Sequence, residues 1–238
     1  MNSANDLESS NLPQSKNELA IALIQRQCRN SLFTTATRLL SYQLTQYTHG
    51  EIIGCLEANT LKKLICQPRG SFKSTLASVT YPIWLLLRNP NLRILIDSEL
   101  FSNSSKFLRE IKGQIESSTF RAIFGDWRTD HDWSQESITI APRTAVKKES
   151  SITCSGIGAG KTGMHYDVII MDDLNSAENS NTLEARAKII DHYRMNHAIL
   201  EPGGIMVVIG TRYAQDDVIG HILDTECQPE KEGLLNGS

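Results

Sequence analysis

An α/β fold, with a mainly parallel central sheet flanked by helices, is the reading that three features of the chain support. Short apolar runs alternate with longer amphipathic segments through its middle. Two of those runs, "VIIM" (168–171) and "IMVVI" (205–209), are continuous and rich in β-branched residues, as strands covered on both faces are. Four runs are followed at once by small, charged or hydroxyl-bearing residues. In open α/β sheets such groups collect beyond the carboxyl ends of the strands, where ligands bind.

At the amino terminus, residues 1–18 are polar and rich in Ser and Asn, the composition of a disordered arm. Apolar residues at helical spacing then run from about Leu19 to Leu40. The first strand is "LKKLIC" (61–66), which delivers Gln67-Pro68-Arg69-Gly70. "STLASVTYPIWLLL" continues as a helix, kinked or interrupted at Pro82, whose ring removes a backbone donor. "LRILI" (92–96) is a strand ending in Asp97-Ser98-Glu99. The run 168–171 ends in Asp172-Asp173, and the run 205–209 ends in Gly210-Thr211-Arg212. One domain over 19–226 with a polar tail over 227–238 accounts for the chain.

Composition narrows the function classes. At 238 residues there is ample length for a buried core. The formal net charge of -3 gives no global attraction to nucleic acid or anionic membrane, so any such contact needs a local patch or an arrangement of copies. The 5 cysteines are widely spaced without a CxxC pair, which reads as reduced thiols of a cytosolic protein. No apolar run approaches the roughly 18 residues of a membrane span, and no signal peptide opens the chain.

Two stretches compete as a phosphate-binding loop: "CQPRGSFKST" (66–75) and "CSGIGAGKTG" (154–163). Neither matches GxxxxGK[ST] strictly, since Gln67, Phe72 and Ser155 stand where glycines belong. Phosphate needs a strand before the loop and a helix after it, so that backbone N–H groups and the helix dipole face the anion. The first stretch meets that test. The second leads through "TGMHY" into the run 168–171, with no helix to supply donors. Lys73 is therefore the expected lysine on the β- and γ-phosphates, and Ser74 the hydroxyl for Mg²⁺. Pro68 through Thr75 form the cradle: Pro68, Arg69, Gly70, Ser71, Phe72, Lys73, Ser74 and Thr75. Phe72 lacks the backbone freedom of glycine, and Gly70 is expected to supply it. Arg69 either stabilises charge on the γ-phosphate or pairs with a nearby acid.

"DVIIMDD" has the form of a Walker B strand. Asp172 would hold Mg²⁺, and Asp173 would orient or deprotonate the attacking water. Asp-Asp places the second carboxylate one methylene back from an Asp-Glu pair, which makes Glu178 an alternative activating group. Asp216 or Asp217 suits the start of a helix better than chemistry. His165 suits packing, and "TAVKKESS" offers either a basic pair for DNA or a solvated turn.

Together "PRGSFKST", "GIGAGKTGMHYDVIIMDDLNSAEN" and "GGIMVVIGTRYAQDDVIG" resemble the ATPase domain of tailed-phage large terminase subunits, from about Leu32 to His221. In that family the phosphate loop often carries an early arginine, matched here by Arg69. The resemblance implies a three-layer P-loop NTPase fold of the additional-strand type, binding ATP and Mg²⁺. It implies a homo-oligomeric ring on the portal protein that drives double-stranded DNA into a procapsid with a small terminase subunit, in the host cytoplasm at the portal vertex. It also makes "GTR" a coupling motif, with Thr211 near the γ-phosphate and Arg212 reporting its presence; a simple loop with a solvated arginine is the plain alternative. For Lys161 two readings stand. Either it is a solvated lysine in a glycine-rich turn, or it is a cation reaching across a ring interface to a neighbour's nucleotide.

Full-length relatives carry a nuclease after the motor. This chain runs only to Ser238 and shows no second acidic cluster, so no nuclease residue is assigned and no nuclease activity is expected of it alone. Three rivals remain in view. A superfamily 2 helicase needs a second RecA-like domain, a small-metabolite kinase needs an arginine-rich lid, and a nucleotide-binding ring scaffold with degenerate hydrolysis is suggested by Phe72 and Asp173.

Overall fold

The structure, a computed structural model, describes residues 16–161, 163–176 and 179–227. The expected arm and tail fall outside that range, except that Lys16–Glu18 open the first helix and Cys227 closes the described chain.

The helical spacing of the N-terminal segment becomes α1 (Lys16–Asn30) and, after a break at Ser31, the short α2 (Leu32–Thr34). Ser31 starts α2 by accepting from the Thr34 N–H, and the helix runs on as a π-helical turn over Thr35–Leu39. Next comes α3 (Gln46–Glu57), capped by Thr45. Strand β1 (Lys62–Cys66) leads through the phosphate-loop candidate into a π-helical turn (Thr75–Thr80) and α4 (Tyr81–Arg88). The expected interruption at Pro82 is this change from π to α winding. Pro82 sits in the first turn of α4, where its missing N–H is tolerated.

Then come β2 (Ile94–Ser98), α5 (Phe101–Ile115), α6 (Ser118–Phe124), β3 (Ser137–Ile138), β4 (Ile152–Gly156) and β5 (Tyr166–Asp172). The described chain closes with α7 (Leu183–Ala198), β6 (Leu200–Gly210) and α8 (Val218–Thr225).

The six strands form one sheet in the order β1-β6-β5-β2-β4-β3. All neighbours pair in parallel except β3, which runs antiparallel to β4. The decisive feature is β6, last in sequence but inserted between β1 and β5. Both sheet faces are covered. On β5, Val168 and Ile170 point into a core with Ile83 and Leu86 of α4 and Leu108 and Ile111 of α5. Ile169 and Met171 point the other way, toward Ile189 and Tyr193 of α7 and Val218 and Ile222 of α8. That two-sided burial is why the run has no polar alternation.

Opposite the carboxyl ends, Arg93 fastens the strands together. Its guanidinium donates to Asp167 (2.9 Å) and Glu201 (2.8 Å) and pairs with Glu149 (3.3 Å), residues before or at the starts of β2, β5 and β6 and in the segment before β4. Hydrogen bonds donated to Asp167, against the cost of burial, hold the Arg93 pKa well above its ordinary value.

Candidate active site

The loop after β1 is wound tightly. Among the described residues only three non-glycine positions take a positive φ: Phe72 (φ 59) lies in this loop, Asp173 (φ 46) follows the end of β5, and Ser41 (φ 60) lies elsewhere. Gly70 also takes a positive φ of 84. The expectation that Gly70 would stand in for the missing glycine is thus half the answer, because Phe72 itself adopts the left-handed conformation at a steric cost. Its ring remains 43% exposed and meets the His49 ring edge-on at 5.4 Å.

Lys73 lies at the start of the helical run, its side chain 6% exposed and turned inward. Among the described residues its ammonium makes no hydrogen bond or ion pair, yet it lies near enough to Asp172 to favour that carboxylate. Ser74 Oγ donates to Asp172 Oδ1 at 3.0 Å, across the width of β6. Ser78, one turn along, donates to Asp172 Oδ2 at 2.5 Å. Ser98 Oγ, at the end of β2, donates to the Asp172 backbone carbonyl at 2.8 Å. Asp172 is 1% exposed, and this burial pushes its carboxyl up to about 6; Asp173 adds to the rise, while Ser78, Ser74 and Lys73 oppose it.

Asp173 leaves the strand end with an exposed side chain. Its backbone N–H donates to Ile209 O at 2.9 Å, and its Oδ1 lies 3.7 Å from where a side chain on Gly210 would begin. Its carboxylate therefore hangs over the end of β6, on the side of the phosphate-loop candidate. Glu178 lies outside the described residues. Glu99 is held by Ser176 (2.8 Å) and Asn179 (3.0 Å), joining the end of β2 to the segment after Asp173.

The donor set suits Mg²⁺. A hydroxyl and a carboxylate are hard oxygen ligands, and Mg²⁺ commonly takes one or two carboxylates with waters and phosphate oxygens. Ser71 Oγ, buried in the loop without a partner among the described residues, is the kind of orphaned donor a phosphate satisfies.

In the loop after β6 Arg212 is exposed, as in the plain reading of a simple loop. Arg212 donates to its own loop, at Ala214 O (3.2 Å) and Gln215 O (3.0 Å), and Thr211 is half-buried beside it. Among the described residues Arg69 pairs with no acid; it donates to the Tyr213 hydroxyl at 2.9 Å. Asp217 caps α8, accepting from the Gly220 N–H at 2.9 Å.

Lys161 corrects both readings given for it. The loop does run into β5 without an intervening helix, but the side chain is neither solvated nor extended toward a neighbour. It is 10% exposed and donates to Asp97 Oδ2 at 2.6 Å. His192 Nε2 (2.6 Å) and Asn196 Nδ2 (2.8 Å), both on α7, converge on the same oxygen. A fully buried carboxylate at a strand end demands a cation, and the glycine-flanked loop lets Lys161 fold inward to meet it. Nearby, Lys148 donates to Gly163 O (3.0 Å) and Lys147 pairs with Asp167 (3.6 Å), so "TAVKKESS" braces this loop. His165 donates its backbone N–H to Glu149.

Sequence reasoning missed Ser78, Tyr213 and the Asp97 cluster. Ser78 had a readable signal, being one helical turn beyond Ser74 on the same face. The others had none, because their partners are distant in the chain.

A parallel sheet with an extra strand between the loop strand and the acid strand, layered by helices on both faces, is the three-layer P-loop NTPase fold of the additional-strand type. The large terminase of bacteriophage HK97 shares it, at a TM-score of 0.54 and 14% identity, over 89% of this chain and 41% of that one. This chain spans 41% of the HK97 chain's length. The ATPase domain of the Thermus phage P74-26 large terminase is similar over 75% of this chain and 68% of its own, with 14% identity and a TM-score of 0.49. No family model and no curated protein matches the chain. At such identity the likeness to HK97 speaks for the fold.

Proposed function

We propose that this chain is the motor ATPase of a viral DNA-packaging machine, hydrolysing Mg·ATP to drive double-stranded DNA into a procapsid. One observation carries the reading. Ser74 and Asp172, 98 residues apart in sequence, meet at 3.0 Å beside a buried lysine, at the carboxyl edge of an additional-strand sheet. The likeness of fold to the HK97 large terminase supports the packaging role.

In this reading Lys73 and the loop N–H groups would bind the phosphates, and Ser74 and Asp172 would hold Mg²⁺, which would supply positive charge to the phosphates when bound. Ser78 and Ser98 fix Asp172, so its geometry is set before nucleotide arrives. Asp173 accepts a proton from the attacking water or orients it. Arg69 lies in the loop where it can reach charge developing on the γ-phosphate. Thr211, directly after the inserted strand, passes the state of the site to α8. Assembly as a ring on a portal, with a small subunit, is part of the same proposal, as is the absence of nuclease activity in this chain alone.

The test is ATP turnover by the purified chain with and without DNA and portal protein. Mg²⁺-dependent hydrolysis stimulated by both supports the motor. Binding without turnover in every combination would instead identify a nucleotide-binding scaffold, the alternative suggested by Phe72 in place of a glycine and by the short Asp173 side chain.

A further inference from the structure

We propose that Tyr213 is a positioning residue for Arg69, holding the guanidinium of the loop after β1 from the end of the inserted strand; the proposal rests on the nucleotide reading above. In the parallel pairing of β1 with β6, Cys66 lies opposite Gly210. Arg69 and Tyr213 each stand three residues beyond that last pair. Arg69 Nη2 donates to the Tyr213 hydroxyl oxygen at 2.9 Å, so a side-chain contact continues the pairing past the sheet edge.

Tyr213 is itself held from behind. Asp217 Oδ2 accepts from the backbone N–H groups of Tyr213 (2.8 Å) and Ala214 (3.2 Å), while its Oδ1 caps α8. Asp217 is fully buried, so this loop is anchored to the body of the protein. Arg212 is committed to the carbonyls of Ala214 and Gln215, which leaves Tyr213 as the group that reaches the other loop.

The chemistry of the partner matters. A carboxylate at this place would form an ion pair with Arg69 and cancel the charge needed at the phosphates. A phenol oxygen is a neutral acceptor that occupies one of five guanidinium donors and leaves the rest free. Tyr213 thus orders Arg69 without neutralising it, and ties the phosphate-facing loop to α8 through Asp217.

The experiment compares Mg·ATP affinity, turnover and melting temperature for the wild-type chain, Tyr213→Phe, Arg69→Ala and the double variant. Tyr213→Phe keeps the ring and removes the acceptor. It should leave the melting temperature unchanged and the affinity within about twofold, while turnover falls about fivefold, the signature of a contact that matters in the transition state. The double variant should be no slower than Arg69→Ala alone, because Tyr213 acts only through Arg69. Wild-type turnover in Tyr213→Phe, equal losses of affinity and turnover, or losses that multiply in the double variant would each overturn the inference alone. A wild-type chain that hydrolyses no ATP would overturn the nucleotide reading and this inference with it.

Discussion

Asp172 and Asp173 are adjacent in sequence, yet their surroundings are opposite. Asp172 is enclosed by Ser74, Ser78 and the sheet, whereas Asp173 stands exposed in a left-handed turn over Gly210. The two should therefore fail differently. Asp172→Ala is expected to weaken Mg·ATP binding, while Asp173→Asn binds it nearly normally and hydrolyses it slower by roughly 10²–10⁴. Titration calorimetry and single-turnover kinetics separate the effects, and full turnover in Asp173→Asn would move attention to Glu178. Phe72 offers a second residue-level test, because any side chain at a φ of 59 is strained. Phe72→Ala keeps that strain and Phe72→Gly relieves it, so the glycine variant should be the more stable by about 1 kcal/mol in urea denaturation. Equal stabilities would mean that the loop does not hold this conformation.

Between elements, the buried cluster around Asp97 joins the glycine-rich loop to α7, and α7 leads directly into the inserted strand β6. Removing Lys161 strands a carboxylate in the interior. Lys161→Ala should destabilise the fold by about 3 kcal/mol, and Asp97→Asn combined with Lys161→Met should recover much of it. An equal loss in both variants would show that the cluster is not held by its charges. The pH dependence has a definite sign. Burial acts to raise the Asp97 pKa, but the His192 hydrogen bond and the Lys161 charge outweigh it and leave the folded value below the ordinary one. A depressed carboxyl contributes stability above its unfolded pKa and loses it as pH falls through the folded one. The wild-type advantage over Asp97→Asn should hold at neutral pH and shrink below about pH 4 in urea melts. An advantage independent of pH would contradict the ion pair.

For the molecule as a whole, Asp172 and Asp173 stand at the candidate site, whereas Asp97, Glu149, Asp167 and Glu201 are engaged in structural ion pairs. No group of three or more His, Cys, Asp or Glu side chains among the described residues is placed to hold a metal ion. Plasmid DNA incubated with this chain and Mn²⁺ should stay intact. Cleavage that survives purification and disappears in an Asp172 variant would show that the same carboxylate serves a nuclease.

Much of this could be read from the amino-acid order alone. Strands β2 and β5 and the end of β6 were legible because double-sided burial demands unbroken apolar runs. The choice of Lys73 over Lys161 as the candidate was legible because it turns on whether a helix or a strand succeeds each loop, within a few residues. Asp217 as a helix cap was likewise a local matter. Strand β4 was not recognised, since "ITCSG" is short and lies inside the stretch that imitates a phosphate loop. The fate of Lys161 and Arg69 belonged wholly to the tertiary structure. Their partners lie 64 and 144 residues away, and which strands become neighbours decides whether they meet. Burial and turn chemistry act over a few residues and leave their mark on the sequence. The insertion of β6 between β1 and β5 is a property of the assembled sheet, and it alone brings Tyr213 to Arg69 and sets Asp173 over Gly210.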